Sequence, residues 1–131
     1  MLGGSDRIHL LEPLGYSDFL AIMKSAWLIV SDSGGVQEEA PSLGKPLLIL
    51  RENTERPEAV KSGIAKLVGS NSEALQVLIE QNYVSDKWIK SVVRTANPFG
   101  DGKAAARIVK IIEHALASKK NSTNAAKVAS V

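Results

Sequence analysis

Residues 27–39 read WLIVSDSGGVQEE. The apolar run Trp27-Leu28-Ile29-Val30 is the length of one buried strand. The chain then breaks at Ser31-Asp32-Ser33-Gly34-Gly35 and resumes as a polar-faced helix carrying Gln37, Glu38 and Glu39. A strand, a Ser/Gly turn and a helix start in that order aim several backbone N–H groups at one point. The positive end of the helix dipole adds to them, so the point favours an anion such as a phosphate. Gly34 and Gly35 let a ligand approach the backbone without meeting a Cβ. A Ser-capped strand-to-helix turn that binds nothing fits the same letters, because the cap alone satisfies the first N–H groups. No Lys-Ser/Thr pair follows, and the dinucleotide fingerprint is absent, so the turn suggests a site without naming its ligand.

Working outward, the continuous apolar run at 46–50, Pro46-Leu47-Leu48-Ile49-Leu50, lacks alternation and suits a strand covered on both faces of a parallel sheet. Further strands are expected at 8–11 (Ile8-His9-Leu10-Leu11) and at 65–69. Pro13 and Gly15 end the first of these. Between the strands, Tyr16, Phe19, Leu20 and Met23 fall at helical spacing over 16–26, with Leu20 and Met23 assigned to the core. A helix is expected from 34 to 43, kinked or cut short by Pro41 and stopped by Gly44. Pro57 opens the next helix, where its missing N–H costs nothing.

Ser72 is read as the cap of a helix with the stripe Leu75, Leu78 and Ile79. A short helix over 86–94 turns Trp88 and Val92 inward, and Asn97-Pro98-Phe99-Gly100-Asp101-Gly102 is a turn cluster. Ala105, Ile108, Ile112 and Leu116 then mark an amphipathic helix to about Ala117. Residues 118–131 have no periodic core face and read as a disordered tail. The division expected is a leader at 1–7, one domain at 8–117 and the tail at 118–131. Alternation of strands and helices predicts an α/β fold, a parallel sheet with helices on both faces and right-handed crossovers. Ligands in such sheets sit outside the carboxyl ends of the strands, where the turns after Leu11, Val30 and Leu50 meet.

Composition bounds the rest. The 131 residues suffice for one domain with a core, and 44% hydrophobic with 23% charged residues is ordinary globular usage. A net charge of +2 argues against nucleic acid as a partner. No cysteine is present, so disulfides, thiolate metal sites and cysteine nucleophiles are excluded. His9 and His114 stand far apart and form no ligand pair; no metal and no cofactor is called for. No apolar run reaches the ~20 residues of a bilayer span, and the amino terminus has no signal-peptide core, so a cytoplasmic protein without a membrane partner is expected. The near-immediate start on a strand is what a piece of a longer protein shows.

Several side chains could act at the turn. Glu39 lies about one and a half turns beyond Ser33, within reach of a sugar next to the phosphate, where a carboxylate can accept two vicinal hydroxyls. Glu38 reads as a solvated residue. Arg51 and Arg56 occupy the loop after the next strand. Arg56, held extended before Pro57, projects from the loop and suits diphosphate oxygens, or else pairs locally with Glu52, Glu55 or Glu58. No nucleophile with its base and no spaced carboxylate pair stands out. Read from its residues, the chain binds an anionic ligand and carries no visible catalytic set.

Two blocks, LLEPLGYSDFLAIMKSAWLIVSDSGGVQEEAPSLGKPLLILRENTERPEA and ANPFGDGKAAARIVKII, resemble the carboxyl-terminal domain of bacterial nonhydrolysing UDP-N-acetylglucosamine 2-epimerases. The likeness runs from Ile8 to Ala117. It implies a Rossmann-like domain, the second of the two-domain architecture called GT-B, holding the UDP half of the substrate. By the resemblance Ser33, Gly34 and Gly35 form the diphosphate-binding turn, Glu39 binds the ribose, and Arg56 lines the cleft. Phe19, with backbone near Leu11 and Pro13, surrounds the uracil.

The reaction implied is reversible inversion at C2, by elimination of UDP and re-addition, between UDP-GlcNAc and UDP-ManNAc in cell-envelope polysaccharide synthesis. Its acids and bases belong mainly to an amino-terminal domain outside this chain. The partners implied are therefore UDP or a UDP-N-acetylhexosamine and that domain, with a homodimer as a further possibility; the chain by itself is expected not to epimerise. Two other readings stand beside this one: the nucleotide half of a GT-B glycosyltransferase, and a non-enzymatic α/β binding module.

Overall fold

The computed structural model describes residues 5–128, with side chains up to 118. The leader expected at 1–7 and the tail expected at 118–131 thus fall partly outside the described residues. The chain divides into two units, 1–98 and 99–131.

The first unit is built on three parallel strands in the order β1-β2-β3: β1 (Ile29–Ser31), β2 (Leu47–Ile49) and β3 (Ala65–Leu67). Ile29, Leu47 and Ala65 stand in register, as do Val30, Leu48 and Lys66. β2 is central, and Leu47, Leu48 and Ile49 are all completely buried, which is why this run shows no alternation. Burying each such side chain contributes roughly 1.5–3 kcal/mol.

Helices cover both faces. On the face of Leu47 and Ile49 the core gathers Met23 from α1 (Tyr16–Ser25), Val36 and Ala40 from α2 (Gly34–Ser42) and Ala59 from α3 (Pro57–Lys61). α2 and α3 touch one another, as successive crossovers on one face should. On the face of Val30, Leu48 and Lys66, α5 (Lys87–Val92) meets Lys66, and α4 (Ser72–Val84) lies against α5. Lys66 Nζ stands 4.0 Å from the centre of the Trp88 ring, whose Nε1 donates to the Gly63 carbonyl at 2.7 Å. Tyr83 meets Trp27 edge to face at 6.4 Å.

Four sequence expectations are corrected. Residues 8–11 form no strand: their backbone joins no ladder, and Leu10 is 72% exposed. A short apolar run becomes a strand only where a neighbouring edge supplies hydrogen bonds, and β1 pairs with β2 alone. β1 begins at Ile29 rather than Trp27, because its first bond runs from Ile29 N to the Pro46 carbonyl and Pro46 has no N–H to extend the ladder upstream. Asn71, not Ser72, caps α4; its side chain accepts from the N–H groups of Glu73 and Ala74 at 2.9 and 3.1 Å. Helix α6 (Ala104–Val128), in the second unit, continues past Ala117. Once a helix is nucleated each added residue gains a bond, so an end need not coincide with the end of the apolar stripe.

The stop after α2 follows expectation. Pro41 is helical and buried, and the helix ends one residue later. Gly44, with φ of +64°, then turns the chain: its N–H bonds the Pro41 carbonyl at 3.1 Å and the Lys45 N–H bonds Ala40 at 2.9 Å, a Schellman motif.

Candidate functional site

At the carboxyl end of β1, Asp32 and Ser33 lead directly into α2. The Ser33 backbone is extended, with φ −71° and ψ 129°, and its N–H donates to Ser31 Oγ at 3.1 Å. Ser33 occupies the N-cap position, yet its hydroxyl makes no capping bond. The first-turn N–H groups of α2 therefore take no bond from the Ser33 side chain and keep their donor capacity at the mouth of the sheet. Neither Gly34 nor Gly35 has a positive φ. A Cβ on Gly34 would meet nothing within 4 Å, and one on Gly35 only Ser33 Oγ at 3.8 Å. Backbone conformation and packing thus leave both positions unconstrained; what the glycines provide is open approach to the backbone.

Two acidic residues follow on α2. Glu39 is half-buried and accepts from the Tyr16 hydroxyl at 3.3 Å. The carboxylate in turn holds the Tyr16 phenol above its ordinary pKa of 10.0, chiefly by repelling the phenolate. Glu38, read as solvated, instead forms an ion pair with Arg56: its Oε1 accepts from Arg56 Nε. The local partners weighed for Arg56 were Glu52, Glu55 and Glu58; of these only Glu55 bonds it, through its carbonyl at 3.3 Å. The Glu38 contact raises the Arg56 pKa, first through the hydrogen bond and then through its charge.

Arg56 is delivered to α2 by a relay. Its N–H bonds Thr54 Oγ1 at 2.9 Å, and Thr54 donates to Oε1 of Gln37, which is 1% exposed. Gln37, placed on a polar face by its letter, therefore points inward. A helix residue three before buried Ala40 and four before buried Pro41 shares their side whatever its polarity, provided a partner awaits it.

Phe19, on α1, lines a cleft of about 250 Å³ with Met23, Val30, Ser31 and Val36. The structure thus puts Ser33, Gly34 and Gly35 at the start of α2, and holds Arg56 on Glu38 and Tyr16 on Glu39 about one turn further along the same helix, with Phe19 in a cleft that Ser31 and Val36 also line. Leu11 and Pro13 are exposed in the irregular segment ahead of α1. Among the described residues no cluster of His, Asp or Glu could hold a metal ion, and no helix is long and apolar enough to cross a membrane.

Comparison with known proteins bears on this arrangement. A family profile described as UDP-N-acetylglucosamine 2-epimerase matches residues 1–113. The chain belongs to the UDP-N-acetylglucosamine 2-epimerase family. The UDP-N-acetylglucosamine 2-epimerase of Bacillus subtilis is 50% identical over 107 residues, 82% of this chain and 28% of the relative. That of Salmonella typhimurium is 42% identical over 113 residues, 86% of this chain and 30% of the relative. The chain therefore spans about three tenths of the length of these epimerases. Among solved epimerase structures, the S. aureus MnaA–UDP co-structure superposes with a TM-score of 0.79 at 43% identity, over 88% of this chain and 32% of that one. The Methanocaldococcus jannaschii UDP-GlcNAc 2-epimerase in complex with UDP-GlcNAc and UDP gives 0.70 at 45% identity, over 86% and 30%.

Sequence reasoning placed the epimerase-like turn correctly on a strand end and a helix start. It missed that Tyr16 bonds Glu39 and that Thr54 links Gln37 to Arg56. Thr54 two residues ahead of Arg56 was the available signal, since a Thr hydroxyl commonly accepts from the N–H two residues on.

Proposed function

We propose that this chain forms the UDP-binding wall of a UDP-N-acetylglucosamine 2-epimerase of the two-domain GT-B kind. The observation that carries the reading is the uncapped first turn of α2 at the end of β1, with the Arg56 guanidinium, held on Glu38, and the Glu39 carboxylate one turn further along the same helix. The N–H groups of Gly34 and Gly35, with the Ser33 hydroxyl, receive diphosphate oxygens, Arg56 neutralises their charge, and Glu39 accepts the ribose hydroxyls. Phe19 forms the apolar wall against which the uracil lies. A loop built this way stabilises UDP both as the bound half of the substrate and as the leaving group during elimination and re-addition at C2.

The acids and bases of that reaction lie in the remaining length of the parent enzyme, which converts UDP-GlcNAc to UDP-ManNAc in the cytoplasm. Its amino-terminal domain closes the other side of the cleft, and 8–117 is the nucleotide domain. α6, with Ile108, Ile112 and Leu116 exposed, is the element through which that domain or a second copy of the chain associates.

Calorimetric titration of the chain with UDP tests the nucleotide reading. Saturable binding that weakens about tenfold or more in both Ser33→Ala and Glu39→Ala supports it. Binding indifferent to both substitutions overturns it.

A further inference from the structure

Tyr16 is the first residue of α1, and its ring is 64% exposed, so packing does not account for where it points. Its hydroxyl nonetheless reaches across 23 residues of sequence to Glu39 Oε1 on α2. Among the described residues it is the sole side chain that hydrogen-bonds Glu39. Phe19, one turn further along α1, lines the cleft beside Ser31 and Val36, and positions three apart on a helix share a face. One face of α1 therefore presents both the ring of the cleft wall and the phenol that holds the carboxylate.

We infer that Tyr16 is a positioning residue which fixes the Glu39 carboxylate for vicinal hydroxyls and so sets the preference for a ribo- over a 2′-deoxyribonucleoside diphosphate; this rests on the proposed UDP site. An ionised carboxylate offers about four acceptor positions. The phenol occupies one on Oε1 and leaves the others for the 2′- and 3′-hydroxyls. A half-buried glutamate with no such partner samples more than one rotamer, and each hydroxyl bond must be made against that freedom. Held by Tyr16, the carboxylate meets the ribose already oriented.

The test is calorimetric titration of the chain with UDP and with 2′-deoxy-UDP, for the unaltered protein, Tyr16→Phe, Glu39→Ala and the double variant. The unaltered chain should favour UDP by about tenfold, the scale of a hydrogen bond to a charged group. Tyr16→Phe, which keeps the ring, should weaken UDP more than 2′-deoxy-UDP and cut that ratio to about threefold. Glu39→Ala should bring the ratio close to one, and adding Tyr16→Phe should then change nothing. An unchanged ratio in Tyr16→Phe, or equal weakening of both ligands, overturns the positioning role while leaving the UDP site standing. Failure of the unaltered chain to bind either ligand, or a ratio untouched by Glu39→Ala, overturns the ribose site and this inference with it.

Discussion

The carboxylate of Glu52 stands where a side chain at Gly69 would be. A Cβ built on Gly69 falls 2.6 Å from Glu52 Oε1 and 2.9 Å from Cδ, while the same carboxylate accepts from the Ser70 N–H at 3.2 Å and from its hydroxyl at 3.3 Å. Gly69 also has φ of +72°. The loop that carries Thr54 and Arg56 is thereby tied to the turn after β3. Gly69→Ala should cost about 1–2 kcal/mol for the left-handed backbone alone, and more as Glu52 is displaced. Urea unfolding of the two proteins checks this; equal midpoints would refute the latch.

Ile49 ends the central strand, fully buried, and packs into the cluster with Met23, Ala40 and Ala59. Ile49→Ala removes three heavy atoms from a site enclosed by three helices and two strands, which cannot collapse freely. A loss of about 2–5 kcal/mol is expected in chemical denaturation. Leu10→Ala, in the exposed segment ahead of α1, should change stability by less than about 0.5 kcal/mol.

The contrast between those two leucine-rich stretches shows what could be read from letters. Leu47-Leu48-Ile49 announces a doubly covered strand because burial on both faces removes alternation, and Pro57 and Gly44 mark helix ends through their own backbone chemistry. Ser33-Gly34-Gly35 is legible as a strand-to-helix turn for the same reason: the residues that make the turn are contiguous. Ile8-His9-Leu10-Leu11 looks equally strand-like, yet a ladder is a property of two segments, and composition of one cannot supply the other. The Arg56–Glu38 pair spans 18 residues and the Tyr16–Glu39 contact 23, so each depends on how α2 sits against a loop or against α1. Helical spacing made Tyr16 look like its packing neighbours Leu20 and Met23, because periodicity reports a face and not what stands opposite it.

In the second unit, Arg107 of α6 grips Asp101 with both guanidinium nitrogens, at 2.8 and 2.7 Å, and the Lys103 N–H adds a third bond at 3.1 Å. These hold the Asp101 carboxyl below its ordinary value of 3.8, with Arg107 the larger cause. A carboxyl depressed in the folded state binds its proton less readily there than when unfolded. Its contribution is therefore present above the unfolded pKa and is lost as pH falls through the folded one. Carboxyl-resolved NMR titration should place Asp101 below an ordinary aspartate, and Arg107→Ala should move it back up. No movement would refute the assignment.

Glu38 is a carboxylate held against the arginine that the proposed site offers to diphosphate. Both members are partly exposed, 37% for the Arg56 side chain and 48% for Glu38, so the pair is screened and its own contribution to stability is small. For an incoming anion it is a competitor: the guanidinium must turn from Glu38 or share itself, and the negative charge of Glu38 repels the phosphates. Glu38→Gln removes the charge and keeps the shape, so UDP should bind about two- to fivefold more tightly, the range of an exposed ion pair. The gain should shrink as salt is raised, because screening already weakens the competitor. Titration at low and high ionic strength reads both effects. Weaker binding in Glu38→Gln at low salt would mean that Glu38 instead orients Arg56 for the ligand, and the competition would be refuted.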